Sequence, residues 1–136
     1  MNSLSWNCRG LGNPWSVRAL HDMVRRWDPR IVFLLETKLK VRHVERVRKR
    51  LGFANGFIKP SRGYSGGLAL LWMREINLSI KSFSNHHIDA TVIEANSSLE
   101  WRITGFYGNP QTHLCHESWN LLTLLSNQMH LPWFCF

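Results

Sequence analysis

The run Ile31-Val32-Phe33-Leu34-Leu35 leads directly into Glu36-Thr37-Lys38. Its five apolar residues, β-branched and aromatic at their start, follow Asp28-Pro29 and stop at a carboxylate and then a lysine. Short, and without polar alternation, the run reads as a strand buried on both faces. Open α/β sheets bind ligands at the carboxyl ends of such strands. Glu36 stands at that end, so it is a candidate ligand for a hard cation or a member of a phosphate-handling site. The segment Leu4-Ser5-Trp6-Asn7-Cys8-Arg9-Gly10 has the same form, a short strand that stops at Asn7 before a glycine turn.

A chain of 136 residues can bury one real core, and we read residues 1–136 as a single domain. Its hydrophobic fraction of 44% and charged fraction of 19% exclude a disordered chain. No apolar run is long enough to span a bilayer, and Met1-Asn2-Ser3 lacks the basic and apolar regions of a signal peptide. Three cysteines, Cys8, Cys115 and Cys135, are an odd number without paired spacing, which fits a reduced, intracellular protein of the nucleus or the cytoplasm. The net charge of +8 and a pI of about 10.1 favour a polyanionic partner, nucleic acid before membrane, over a generic basic surface.

Along the chain, residues 2–8 read as a strand. Asn13-Pro14 opens a helix in which Val17, Leu20, Met23, Val24 and Trp27 recur at helical spacing, and Asp28-Pro29 ends it. After the strand at 31–36, Val41, Val44, Val47 and Leu51 mark a second helix, with Arg42, Arg46, Arg48, Lys49 and Arg50 on its other positions and Gly52 as its C-cap. Residues 53–59 and 68–72 read as strands on either side of a turn-rich loop, Pro60 to Gly67. Strands at 77–83, 88–95 and 100–107 follow, with Asn85 and His86 in one turn and Asn96-Ser97-Ser98 in the next. In the last of these strands Trp101, Ile103, Gly105 and Tyr107 share a face. Thr112 is placed to cap a third helix carrying Cys115, Trp119, Leu122, Leu125 and Met129 on one side. The order βαβα, a meander, then α and β, predicts an α/β domain with one mixed sheet and helices on one face. Leu131-Pro132-Trp133-Phe134-Cys135-Phe136 resembles a buried strand with nothing after it, which reads as a truncated domain; the alternative is an apolar tail docked on the core.

Three strand ends thus present polar groups: Asn7, Glu36 and Tyr107. If their strands are adjacent and parallel, the side chains converge on one sheet edge. A magnesium site needs only one or two protein carboxylates, because the ion keeps waters and takes phosphate oxygens. Asparagine and tyrosine beside it could hold non-bridging phosphate oxygens, an array suited to phosphodiester hydrolysis. Each residue also has a structural reading, as a turn former, a first exposed residue or a packing ring.

Four motifs occur in order: Ser5-Trp6-Asn7-Cys8-Arg9-Gly10-Leu11, Leu35-Glu36-Thr37-Lys38, Gly63-Tyr64-Ser65-Gly66-Gly67 and Gly105-Phe106-Tyr107-Gly108. Together they resemble the N-terminal half of the endonuclease/exonuclease/phosphatase superfamily, the fold of apurinic/apyrimidinic endonucleases and DNase I. The wording around them, including Gly66-Gly67-Leu68-Ala69-Leu70-Leu71-Trp72 and His116-Glu117-Ser118-Trp119, is closest to the endonuclease domain of plant LINE-type (non-LTR) retrotransposons. The resemblance implies half of a four-layer α/β/β/α sandwich, with Glu36 as the principal Mg2+ (or Mn2+) ligand. It places Asn7 in the metal and phosphate site and sets Tyr107 to hydrogen-bond the scissile phosphate. Lys38, Arg62, Tyr64, Ser65, Asn109 and Arg9 would lie along DNA, although Arg9 stands where DNA-repair members carry an acidic residue. The superfamily also needs an Asp-x-Asn and a Ser-Asp-His, and neither occurs in these 136 residues. The implied function is a fragment of a DNA-nicking, metal-dependent phosphodiesterase, inactive alone. It would expose the inner face of its one sheet and so self-associate.

Two rivals stand beside this reading: a non-catalytic, basic nucleic-acid-binding remnant, and a phosphatase of the same fold. Weaker candidates have structural readings that we prefer. His113-x-Cys115-His116 lacks the second ligand pair of a zinc site, and His86-His87 with Asp89 reads as a turn before a strand. The seven Trp read as core packing more than as base-stacking surfaces. The basic helix at 42–50 is either a phosphate contact or a solvated face.

Overall fold

The computed structural model describes residues 1–63, 65–108 and 115–136. In chain order it contains β1 (Ser3–Asn7), α1 (Pro14–Trp27), β2 (Ile31–Leu35), α2 (Val41–Leu51), β3 (Asn55–Lys59), β4 (Leu68–Trp72), β5 (Asn77–Phe83), β6 (His87–Ile93), β7 (Glu100–Phe106), α3 (Cys115–Gln128) and β8 (Trp133–Cys135). The strands form two four-stranded sheets, β1-β2-β4-β3 and β5-β6-β7-β8. Each sheet is mixed: β1 pairs parallel with β2, and β8 parallel with β7, while the other pairings are antiparallel.

The α/β class and the sandwich hold, but the expectation of one sheet with helices on one face is corrected. Alternation along β2 and β4 divides their side chains between two cores. Val32, Leu34, Ala69 and Leu71 face α1 and α2, where Leu20, Val24, Val44 and Val47 pack on them. Ile31, Phe33, Leu68 and Leu70 face the second sheet and meet Ile88, Ala90, Val92 and Ile103. The apolar run at 31–35 is therefore buried on both faces, as its composition requires, but one of its covers is another sheet. The inner face that was expected to be exposed is covered by β6 and β7.

The helix signals act as read. Asn13 Oδ1 accepts the Trp15 N–H at 2.9 Å, with Pro14 in the first turn, and Gly52 at φ +85° closes α2. Arg48 is not a free cation: it pairs with Glu45 at 2.5 Å and donates to the Phe53 and Ala54 carbonyls, stapling α2 to the start of β3. The end of the chain joins the second sheet as an edge strand, and Phe136 stacks on Phe33 with centroids 5.9 Å apart. Gly105 is the position on β7 that Phe33 covers. An added Cβ there would lie 2.2 Å from the ring, so only glycine fits.

On β6 and β7 the outer face of the second sheet is polar and buried, at His87, Asp89, Thr91, Arg102 and Thr104. Arg102 donates to both Asp89 oxygens, at 2.8 and 3.0 Å, and to the Leu125 carbonyl of α3 at 2.5 Å. Thr104 donates to Asp89 at 2.6 Å, Trp133 Nε1 donates to Thr104 at 2.8 Å, and the Arg102 guanidinium lies 4.7 Å from the centre of the Trp133 ring. Beside this network His87 is flanked by Ser84 at 2.6 Å and Ser82 at 3.0 Å, and burial lowers its imidazole pKa. Two readings of aromatic positions are corrected here. Trp119 of α3 is 69% exposed because the helix buries Leu125 instead, and Trp15 and Trp27 are 74% and 56% exposed, so core packing does not account for the tryptophans as a group. The cap at Thr112 and the His113 candidate lie outside the described residues.

Candidate functional site

Strand β2 ends at Leu35, and Glu36 follows with φ +51°, in the left-handed region that few non-glycine residues adopt. Lys38 at φ +55° and Arg9 at φ +48° share it, so the turns after β1 and β2 both carry backbone strain at the same end of the sheet. Such strain persists only where the surroundings over-determine it, and it gathers at functional sites. The surroundings here are backbone hydrogen bonds. Cys8, Gly10 and Leu11 donate to the carbonyls of Leu35, Glu36 and Thr37 at 2.8–2.9 Å. From the other side, Thr37 and Lys38 donate to Gly67 at 3.2 Å and Gly66 at 2.9 Å. Gly67 is fixed by this clamp: its φ is +97°, and an added Cβ would lie 2.3 Å from Thr37 Oγ1.

The Glu36 side chain reaches the second sheet, where the Tyr107 phenol donates to its Oε1. Tyr107 is placed by its own N–H, which donates to the His86 carbonyl at 2.6 Å across the start of β6. The carboxylate that accepts the phenol's proton disfavours its ionisation and, with partial burial, pushes the Tyr107 pKa up to about 12. The phenol is therefore a fixed donor at neutral pH.

These two residues line a cleft of about 400 Å³ at the meeting of the sheets, with Lys38, Lys59, Arg62, Ser65, Gly66, Gly67, Asn85 and His86 around it. Among the described lining residues three cations face one carboxylate, which gives the cleft an anion-binding character. Arg62 and Ser65 are held in a tight turn, each N–H donating to the other's carbonyl at 3.0 and 3.2 Å.

Glu36, Tyr107, Lys38, Arg62 and Ser65 are thus brought together. Convergence on one edge of adjacent parallel strands is corrected, because Tyr107 comes from the other sheet. Asn7 is held next to Glu36 by the parallel pairing of Asn7 with Leu35, but its Oδ1 accepts the Arg9 N–H at 3.0 Å, and neither Asn7 nor Arg9 lines the cleft. Tyr64 and Asn109 lie outside the described residues. Asp89 is committed to Arg102 and Thr104, and His87 to its two serines.

Three lining residues were not assigned to this site from the sequence: Lys59, Asn85, and His86, which was weighed only with His87 and Asp89 and read as a turn residue. The available signal was positional. Lys59 ends a strand just before Pro60, and Asn85-His86 occupy a turn at the same end of the sandwich. His86 is the most suggestive of them, since its Nδ1 is buried with no hydrogen-bond partner.

The donor set fits a magnesium-type ion held largely by water and phosphate. It offers one carboxylate, oriented by a phenol at Oε1, with an asparagine at the neighbouring strand end. Among the described residues no group of three or more His, Cys, Asp or Glu could hold a metal by side chains alone.

A two-sheet α/β sandwich with a carboxylate–phenol pair in a cationic cleft at the strand ends has the parts of an anion-binding site. The sequence matches the Endonuclease/Exonuclease/phosphatase family over residues 4–133, and the chain belongs to that family. Family members are phosphodiesterase and nuclease hydrolases. Among curated proteins no sequence relative matches. Solved structures with the same fold include the human Nocturnin catalytic domain with bound sulfate, at 16% identity and TM-score 0.66, covering 90% of this chain and 56% of that one. An AP endonuclease from Archaeoglobus fulgidus is also 16% identical at TM-score 0.63, covering 93% and 50%. The 3′ phosphatase NExo from Neisseria, bound to a product DNA hairpin, is similar at 16% identity and TM-score 0.63, covering 90% and 50%. The chain thus spans about half the length of these structures. No described helix is long and apolar enough to cross a membrane.

Proposed function

We propose that this chain carries the metal-holding part of a DNA-nicking phosphodiesterase site, of the type found in LINE (non-LTR) retrotransposon endonucleases. The observation that carries the reading is the Tyr107 phenol donating to Glu36 inside a cleft lined by Lys38, Lys59 and Arg62. Glu36 Oε2 would hold Mg2+ or Mn2+, with Asn7 next to it. The bound ion would supply charge stabilisation at the phosphate. Lys38 and Arg62 would take non-bridging phosphate oxygens, with His86 as a further contact, and Tyr107 would turn its one phenol proton from Glu36 to the phosphate once the carboxylate holds the ion. Ser65, Arg9, Tyr64 and Asn109 would follow the DNA backbone. A family neighbour bound to a DNA hairpin and the net charge of +8 both support DNA as the ligand.

The polypeptide contains no Asp-x-Asn and no Ser-Asp-His, the elements that would orient the attacking water and act on the phosphate. Losing parts of a catalytic constellation costs far more than additively. The expectation is metal-dependent binding without turnover. In a filter-binding titration of a short duplex, Mg2+ should raise affinity for this chain, and Glu36→Gln should abolish that increment while leaving binding in EDTA intact. In a supercoiled-plasmid assay with Mg2+, the chain alone should give no nicking. Turnover that disappears in Glu36→Ala would overturn the inactivity, and a Mg2+ increment that survives Glu36→Gln would overturn the site.

A further inference from the structure

The chain's positive charge is concentrated away from the cleft. Helices α1 and α2 hold eight of its 17 Lys and Arg but only two of its nine Asp and Glu. One of those carboxylates, Glu45, is already neutralised by Arg48. The two helices cover the outer face of the first sheet, and between them runs a groove of about 620 Å³. Its floor is apolar, from Val17, Val47 and Leu51, and its walls carry Arg18, His21 and Arg50, all exposed. The groove's described lining contains no carboxylate. Arg25 continues the stripe, since positions 18, 21 and 25 fall on one face of a helix.

Just outside the groove, next to its lining residues Pro14 and Arg18, is an exposed aromatic ring. Trp15, 74% exposed, lies one turn from Arg18, whose guanidinium is 5.8 Å from the ring centre. Arg18 lies beside the indole and leaves its ring open to solvent. Cations along an apolar groove with an exposed indole beside it are the parts that hold a single nucleic-acid strand: phosphates go to the arginines and a base stacks on the ring. A duplex offers no unstacked base to Trp15, and an anionic membrane has no use for a groove.

We propose that the α1–α2 groove is a second nucleic-acid site, for single strands, separate from the cleft at Glu36. It rests on the charge, shape and exposure of the helical layer and stands whether or not the cleft holds metal. The test uses the full chain and fluorescein-labelled oligothymidylate followed by anisotropy in EDTA, which silences any metal-dependent binding at the cleft. The expected result is that Arg18→Glu with Arg50→Glu weakens single-strand binding about tenfold or more at 0.1 M salt. The slope of log K against log salt should become shallower by about 1.4, which is the loss of two single-strand phosphate contacts. Trp15→Ala should weaken oligothymidylate binding more than binding to an abasic oligonucleotide of equal length. Unfolding curves matching the parent's show that the charge-reversal pair still folds. Equal affinity of parent and charge-reversal chains for the oligonucleotide overturns the proposal. So does binding of the groove to anionic vesicles that oligothymidylate fails to displace.

Discussion

Glu36 and Tyr107 are 71 positions apart and touch. Local spacing has no means of stating such a contact: it identified each residue as a polar group ending a strand, and only the family resemblance put them in one site. Asn7 was equally legible as a strand end, yet its Oδ1 closes its own turn on Arg9. That is the common use of an asparagine before a glycine turn, and sequence could not decide between the two uses. His86 was read only as a turn residue, because a turn has no periodicity from which to infer the way it faces. The coupling of phenol to carboxylate has a direct signature. The Tyr107 pKa is raised in the folded chain, so the stabilisation it reflects is whole below about pH 10, the ordinary tyrosine value, and fades as pH rises through about 12. In a Tyr64→Phe background, which leaves Tyr107 as the sole tyrosine of the two, absorbance at high pH should report ionisation near 12. Adding Glu36→Gln should bring it back toward 10. Titration near 10 in both chains would mean that the two side chains are apart in solution.

The elements themselves were largely readable. Helix α1 starts and stops at Asn13 and Asp28 and α2 stops at Gly52, because capping is local chemistry. Helix α3 was placed correctly on Leu125 but wrongly on Trp119, since its weak amphipathic pattern does not fix which stripe faces inward. The hidden element-scale feature is the polar layer beneath α3. Asp89 and Arg102 alternate with apolar neighbours as exposed residues would, and nothing local indicates that a helix closes over them. Their burial makes them consequential. Asp89→Ala strands the guanidinium in a dry interface and should cost about 3–5 kcal/mol in chemical denaturation. Replacing both, with Asp89→Leu and Arg102→Met, should recover much of that loss. A cost near zero for the single variant would mean that water reaches the pair.

At the scale of the molecule, the sequence reading counted the strands well but assigned them to one sheet. Periodicity says that β2 is covered on both sides; it does not say by what. The second cover is the sheet β5-β6-β7-β8, and the four layers helix, sheet, sheet, helix are all present in this chain. Gly105 and Phe33 mark the contact between the sheets. Gly105→Ala forces a methyl to within 2.2 Å of the ring, and overpacking of this kind should destabilise the chain by about 1–3 kcal/mol in urea. An unchanged midpoint would place the sheets farther apart than described. Phe136 packs on that same interface from the end of the chain, whereas Trp133, Phe134 and Cys135 of β8 are exposed.

The central claim, that Glu36 holds a divalent ion at the meeting of the two sheets, is tested most directly by Mn2+ in nuclear magnetic resonance. Trace Mn2+ should broaden amide signals of residues 36–38, 66–67 and 86–87 first, the backbone that surrounds the carboxylate. Glu36→Gln should leave those signals sharp at the same concentration. Broadening that is uniform over the chain, or that persists around the cleft without the carboxylate, would contradict the claim.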